Sequence, residues 1–300
     1  MVRAPAIVDT PDVDASFIDT LAESQEDCVW YLAYGSNLSS PVFKGRRGIK
    51  PLDVKSVYVK GVELAFDLSG LPYVEPRFAN CRLVEEADHV RAGQAPADAK
   101  RKDMNGSALV PPGCTNPWVG GMIGVAYLVT PKDFANILKT EGGGSSYEVI
   151  TVDAQVLDDC EEAREKERFR FTGKVLEAFT LSAPPSKTRI MDGHSSLRYL
   201  NLIRNGARVS FAEHRLPVDY IAHLDDLPHY AATFRQKIGR VVFIATFAPV
   251  VIPVLALGLL ATDKSGNSPQ FVNTVRRGLF ASLWWCHDNL FAPVFGSGEV

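Results

Sequence analysis

The residues best placed to do chemistry lie where an apolar run, Val29-Trp30-Tyr31-Leu32-Ala33, gives way to Tyr34-Gly35-Ser36-Asn37-Leu38. Aromatic and branched side chains favour an extended strand. Gly35 then allows backbone angles that other residues avoid, and Ser36 and Asn37 end the ladder by bonding to nearby backbone. The loop offers N–H groups and small polar side chains, a cradle for a carboxylate or a developing oxyanion. On its own such a junction is a common turn. A second residue of interest is Glu141. A short helix is predicted over Asp133 to Lys139, with Thr130 as N-cap and Pro131 at its first position. Gly142, Gly143 and Gly144 end it, so Glu141 stands at a helix-to-loop junction, and Tyr147 opens the next strand.

The rest of the inventory narrows the reaction type. The chain has no Gly-x-Gly-x-x-Gly loop, no P-loop and no Gly-x-Ser-x-Gly elbow. Its six histidines (His89, His194, His214, His223, His229, His287) lack ligand spacing. The five cysteines (Cys28, Cys81, Cys114, Cys160, Cys286) are odd in number and form no Cys-x-x-Cys pair. Neither a zinc site nor a disulfide framework follows from them. A reducing compartment fits, and without the plan of a signal peptide the expected location is cytoplasmic. A net charge of −3 and a pI near 6.1 argue against nucleic acid as a partner. The nearest basic cluster, Lys44, Arg46, Arg47 and Lys50, reads as a solvated loop face.

These residues need a scaffold. With 300 residues and 46% hydrophobic content, one substantial core is expected. Strands are predicted over 29–34, 54–60, 61–67, 77–84, 121–129, from Tyr147, and over Phe169–Leu181, with a Gly/Pro loop between 67 and 77. The charge run Glu161–Arg168 reads as an exposed turn. Ser195 or Ser196 caps a helix with Leu197, Leu200 and Ile203 on one side, Gly206 ends it, and Pro217 suits the first turn of the next. Closely spaced strands with few, late helices favour an α+β mixed, mostly antiparallel sheet or barrel.

The string Tyr31-Leu32-Ala33-Tyr34-Gly35-Ser36-Asn37-Leu38 resembles the signature of the γ-glutamylcyclotransferase family. Two further stretches are similar to it: Glu141 with Tyr147 six residues on, and Ser196-Leu197-Arg198-Tyr199 leading to Gly206-Ala207 and Leu216-Pro217-Val218-Asp219-Tyr220. The resemblance covers about Val29 to Leu227. It implies a small α+β barrel with its pocket at one mouth, Glu141 as catalytic base, and the segment Tyr31 to Asn37 with Tyr147 and Tyr199 around the substrate. It also implies a γ-glutamyl small molecule as substrate, 5-oxoproline as product, and neither a cofactor nor a metal. A long polar stretch at 86–118 and an extra stretch around Lys187 to His194 read as loop insertions. The insertion and the apolar tail resemble fungal members linked to epipolythiodioxopiperazine metabolites, which implies a glutathione conjugate of a diketopiperazine as substrate. General γ-glutamyl amino acid or glutathione turnover, and a non-catalytic binding module, remain alternatives.

The expected organisation is a disordered segment at 1–27, the family-like domain at 28–228, and an apolar C-terminal extension at 229–300. Val241 to Ala261 is uncharged and, if helical, about 31 Å long, enough to cross a bilayer. Pro249, Pro253 and Gly258 weigh against that. Membrane attachment and helices folded over the barrel or into a dimer contact are both open, and the oligomeric state is undetermined.

Overall fold

The computed structural model describes residues 28–39, 41–83, 121–141, 147–158, 171–185, 187–189, 193–209, 216–261 and 270–300. The expectations for 1–27, 86–118 and Glu161–Arg168 lie outside them. Strands β1 (Val29–Ala33), β2 (Asp53–Val59), β3 (Val62–Leu71), β4 (Glu75–Leu83) and β5 (Met122–Val129) come first. Helix α1 (Pro131–Thr140), β6 (Glu148–Leu157), β7 (Phe171–Ser182), α2 (Leu197–Val209) and α3 (Val218–Asp226) follow. The C-terminal part holds α4 (Phe234–Ala261), α5 (Gln270–Cys286), a π-helical turn (His287–Phe291) and the one-turn α6 (Ala292–Phe295).

β5 organises the barrel. It is buried at every position but Leu128, as a strand with neighbours on all sides requires. It pairs antiparallel with β1 on one edge and β2 on the other. β6 joins β2 to β7, and β7 returns to β1 through the parallel pair Tyr31–Phe179. The result is a closed barrel in the order β1-β5-β2-β6-β7. At Gly124 a Cβ would lie 2.5 Å from the Ala33 carbonyl oxygen. Any larger residue would pry β5 from β1 just before the 34–37 loop.

β3 and β4 form a separate two-stranded ribbon. Both strands run further than predicted, so the Gly/Pro loop is a tight turn in which the Val74 N–H donates to the Leu71 carbonyl (3.2 Å). Tyr73 in that turn has φ +59°, a left-handed conformation costing a bulky residue about 1–2 kcal/mol. Its ring is buried with Phe243 and Leu283, and its hydroxyl donates to the Gly296 carbonyl (2.8 Å). The C-terminal arm thus holds the turn in place.

α1 begins as predicted: the Thr130 hydroxyl accepts from the Asp133 N–H (3.1 Å), and Pro131 occupies the first turn. Phe134, Ile137 and Leu138, at i, i+3 and i+4, are buried against the barrel. α2 departs from expectation in two ways. Leu197 is exposed while Leu200 and Ile203 are fully buried, and Gly206 sits inside the helix. A Cβ at Gly206 would lie 2.7–2.9 Å from Leu38 and Ser39. The glycine allows close packing under the cradle loop rather than a helix stop.

The C-terminal arm docks on the ribbon. Phe243 and Phe247 of α4 and Leu279, Phe280 and Leu283 of α5 gather around Tyr73 as a second apolar cluster. The penultimate residue, Glu299, is buried; its carboxylate pairs with Arg77 (2.6 Å) and Arg189 (2.7 Å). Arg189 also pairs with Asp288 (2.7 Å). The architecture is α+β, a mixed barrel with flanking helices and an apolar helical extension.

Candidate active site

The loop after β1 tightens into one 3-10 turn, Ser36–Leu38, with the Leu38 N–H donating to the Gly35 carbonyl (3.0 Å). The N–H groups that open such a turn have no acceptor within it. Gly35 has φ −107°, so its conformation is not the left-handed one expected of a glycine turn. What it provides is space: a Cβ there would meet Ala79 at 3.3 Å and the Tyr199 hydroxyl at 3.6 Å.

A cavity of about 830 Å³ opens over this loop. Tyr31, Tyr34, Gly35, Ser36 and Asn37 line one side. Glu141, Tyr147 and Tyr199 reach the same cavity from α1, the start of β6 and α2. Leu32 and Ala33 are absent from the lining; both are buried in the barrel core.

Asn37 links the two halves. Its amide nitrogen donates to Glu141 Oε1 (2.8 Å) and to the Tyr31 hydroxyl (2.7 Å). Its Oδ1 is buried and has no partner among the described residues. Arg47 donates to the same Oε1 (2.5 Å) and, through its other terminal nitrogen, to the Thr140 hydroxyl. Glu141 is the C-cap of α1, where the helix dipole disfavours negative charge, and the guanidinium offsets that. The Asn37 and Arg47 bonds both fall on Oε1 of a side chain that lines the cavity.

Arg47 corrects the sequence reading. Lys44 and Lys50 of the basic cluster are exposed, but the Arg47 side chain retains only 9% exposure and faces inward. The π-helical turn at Pro41–Arg46 carries it there, and the Asn136 amide donates to its carbonyl (2.9 Å). A run of four cations gives no periodic signal marking which one turns in.

The aromatic wall is pinned through Ala79 of β4. Tyr147 donates to its carbonyl (2.9 Å), and its N–H reaches the Tyr199 hydroxyl (3.4 Å). Tyr34 donates to the Leu181 carbonyl (2.5 Å). Burial pushes the phenols of Tyr31, Tyr34, Tyr147 and Tyr199 well above the ordinary tyrosine value. At Tyr31 the Glu141 charge adds to that effect. All four remain neutral through the working pH range.

The chain is similar to known proteins over most of its length. The chain is 33% identical over 276 residues to the γ-glutamyl cyclotransferase gliK of Aspergillus fumigatus, covering 90% of this chain and 89% of that protein. It is 30% identical to the γ-glutamyl cyclotransferase aclK of Aspergillus oryzae, covering 90% of each. The model of the AclK C-terminal domain matches residues 233–294. A solved γ-glutamyl cyclotransferase superposes at a TM-score of 0.43 with 16% identity, over 69% of this chain and 92% of the other. The chain belongs to the γ-glutamyl cyclotransferase family.

Proposed function

We propose that the protein cyclises the γ-glutamyl group of a small-molecule substrate, releasing 5-oxoproline and a free amine. The observation that carries this reading is the direct bond between Asn37 of the cradle and Glu141. Cradle and acid line one cavity and lie close enough for both to touch a single glutamyl head.

The substrate brings its own nucleophile, the α-amine, positioned to close a five-membered ring on the γ-carbonyl. The α-ammonium lies between Glu141 and Asn37 Oδ1, which has no partner among the described residues; it gives one proton to solvent, and Glu141 takes a second as the nitrogen attacks. The nitrogen attacks the carbonyl carbon, and backbone N–H groups of the 34–37 loop stabilise the oxyanion. As the amide C–N bond breaks, Glu141 returns the proton to the departing nitrogen. Because attack is intramolecular, folding the substrate correctly supplies several kcal/mol of the rate, on the order of what oriented intramolecular reactions gain.

The cavity is larger than a glutamyl head needs, which supports a bulky leaving group such as a glutathione conjugate from fungal secondary metabolism. The test incubates the full chain with γ-glutamyl-alanine, glutathione and an S-benzyl glutathione conjugate, scoring 5-oxoproline by mass. The expected order is conjugate fastest. No 5-oxoproline from any of the three would remove the reading.

We also propose that α4 rests in the plane of a lipid surface. Gly239, Phe243, Phe247 and Val251, four residues apart, form its docked face, with Gly239 against Phe295. Phe234, Ile238, Val241 and Ile252 recur at helical spacing on the other side, each more than 40% exposed. Arg235 and Lys237 flank that stripe, and 234–261 contains no acidic residue. One face of the largely exposed helix is docked as far as Val251, and the ten residues that follow reach about 15 Å, half a bilayer core, which favours a helix lying flat over one that spans. Vesicles containing phosphatidylserine should sediment the protein, and Val241→Asp with Ile252→Asp should release it. A dimer in light scattering with no vesicle binding would assign the stripe to a second copy instead.

A further inference from the structure

Six cations line the cavity: Arg47, Lys187, Arg189, Arg198, Arg276 and Arg277. Among the described lining residues the one carboxylate is Glu141, already paired with Arg47. Arg189 is balanced by Glu299 and Asp288, and Arg198 by Glu75. Lys187, Arg276 and Arg277 have no carboxylate partner among the described residues. Among the described residues, then, the cavity carries three positive charges without a carboxylate partner, and two of them, Arg276 and Arg277, are exposed and available to a ligand.

Apolar groups accompany them on the same helix. Arg276, Phe280 and Trp284 stand four residues apart on α5, so they share one face. Trp284 is held rigidly: its indole N–H donates to the Gly70 carbonyl (2.9 Å), and the Arg189 guanidinium stacks 3.9 Å from its ring centroid. Phe280 is half-buried between this wall and the Tyr73 cluster. A rigid aromatic surface beside guanidinium groups that have no carboxylate partner among the described residues suits a ligand with a carboxylate and an apolar substituent a few bonds apart.

We infer that α5 forms the subsite for the departing half of the substrate, with Arg276 and Arg277 binding its free carboxylate and Phe280 and Trp284 its apolar substituent. The inference rests on the cyclotransferase reading, in which the cradle takes the carboxylate of the glutamyl head. The leaving group is then an S-substituted cysteinyl peptide or a compound of equivalent chemistry. The C-terminal arm becomes a selector of substrate as well as a structural brace.

Calorimetry of the full chain with S-benzylcysteinylglycine, the leaving half alone, tests this without turnover. The acid should bind about 10- to 100-fold more tightly than its C-terminal amide, the difference expected for a charged hydrogen-bonded contact. Arg276→Gln with Arg277→Gln should erase that preference, and the corresponding double Lys variant should keep most of it. Replacing benzyl by methyl should weaken binding about tenfold or more. Equal affinity for acid and amide, or a preference that survives the Gln pair, would overturn the anion subsite; equal affinity for benzyl and methyl would overturn the apolar one. If the leaving half binds as expected but no γ-glutamyl compound is cyclised, the reaction assignment fails and the subsite stands.

Discussion

Asn37 and Glu141, 104 residues apart in the chain, meet at 2.8 Å. The bond joins the first loop of the barrel to the end of α1 and puts the acid within reach of whatever the cradle holds. Glu141→Gln keeps the shape and the bond network but cannot shuttle a proton. It should lower kcat by about 100- to 10,000-fold, the range of general acid–base catalysis. The protein should still unfold cooperatively, with a melting temperature lowered by several degrees because the nearly buried Arg47 guanidinium loses its carboxylate. Retained 5-oxoproline release would remove Glu141 from the proposed role.

Arg47 is a positioning residue. Its two terminal nitrogens divide between Thr140 and Glu141, a fork that an ammonium cannot reproduce. Arg47→Lys should lower kcat about 10- to 100-fold, as small misplacements of a catalytic group do. KM should change less than about threefold, because uniform binding to the cradle is intact. A rise in KM with kcat unchanged would show that Arg47 binds substrate directly.

Alkaline stability follows from the buried phenols. Tyr31, Tyr127, Tyr147, Tyr199 and Tyr220 all ionise later in the folded protein than in the unfolded chain, chiefly through burial. Burial likewise lifts the Cys81 thiol to about 12. A folded-state value raised above the unfolded one gives stability that is complete below the unfolded value and lost as pH rises through the folded one. The melting temperature should therefore begin to fall near pH 9, where the unfolded Cys81 thiol ionises, and fall more steeply above about pH 10 as the unfolded tyrosines follow. Absorbance near 295 nm should show most tyrosines ionising with unfolding rather than before it.

Glu299 faces Arg77, whose side chain is fully buried. Glu299→Ala leaves that guanidinium without its carboxylate and should cost about 3–5 kcal/mol, the range for breaking a buried pair. Chemical denaturation would measure it. A loss below about 1 kcal/mol would mean the arm undocks at little expense, and the pair is not what holds it.

Much of the site was legible because its signals are local. The turn from β1 into Ser36-Asn37, the Thr130 cap, Pro131, and Glu141 at the end of α1 all follow from neighbours within about four residues, the range over which capping and turn chemistry act. Tyr199 and Tyr147 came from motif likeness rather than periodicity, since buried tyrosines pattern like any core residue. Gly206 is ambiguous for the same reason: a glycine that stops a helix and one that lets a helix approach another backbone look identical in a string.

The sequence by itself determined the local elements, the cradle, and the acid that closes α1, because hydrogen-bonding options and apolar spacing are encoded residue by residue. Only the tertiary structure decided that Arg47 turns inward, that Ala79 anchors two tyrosines, and that α5 walls the cavity. Those are contacts between segments dozens to more than two hundred residues apart. Barrel closure and the docking of the arm on Tyr73 set them, and no short-range pattern records such distances.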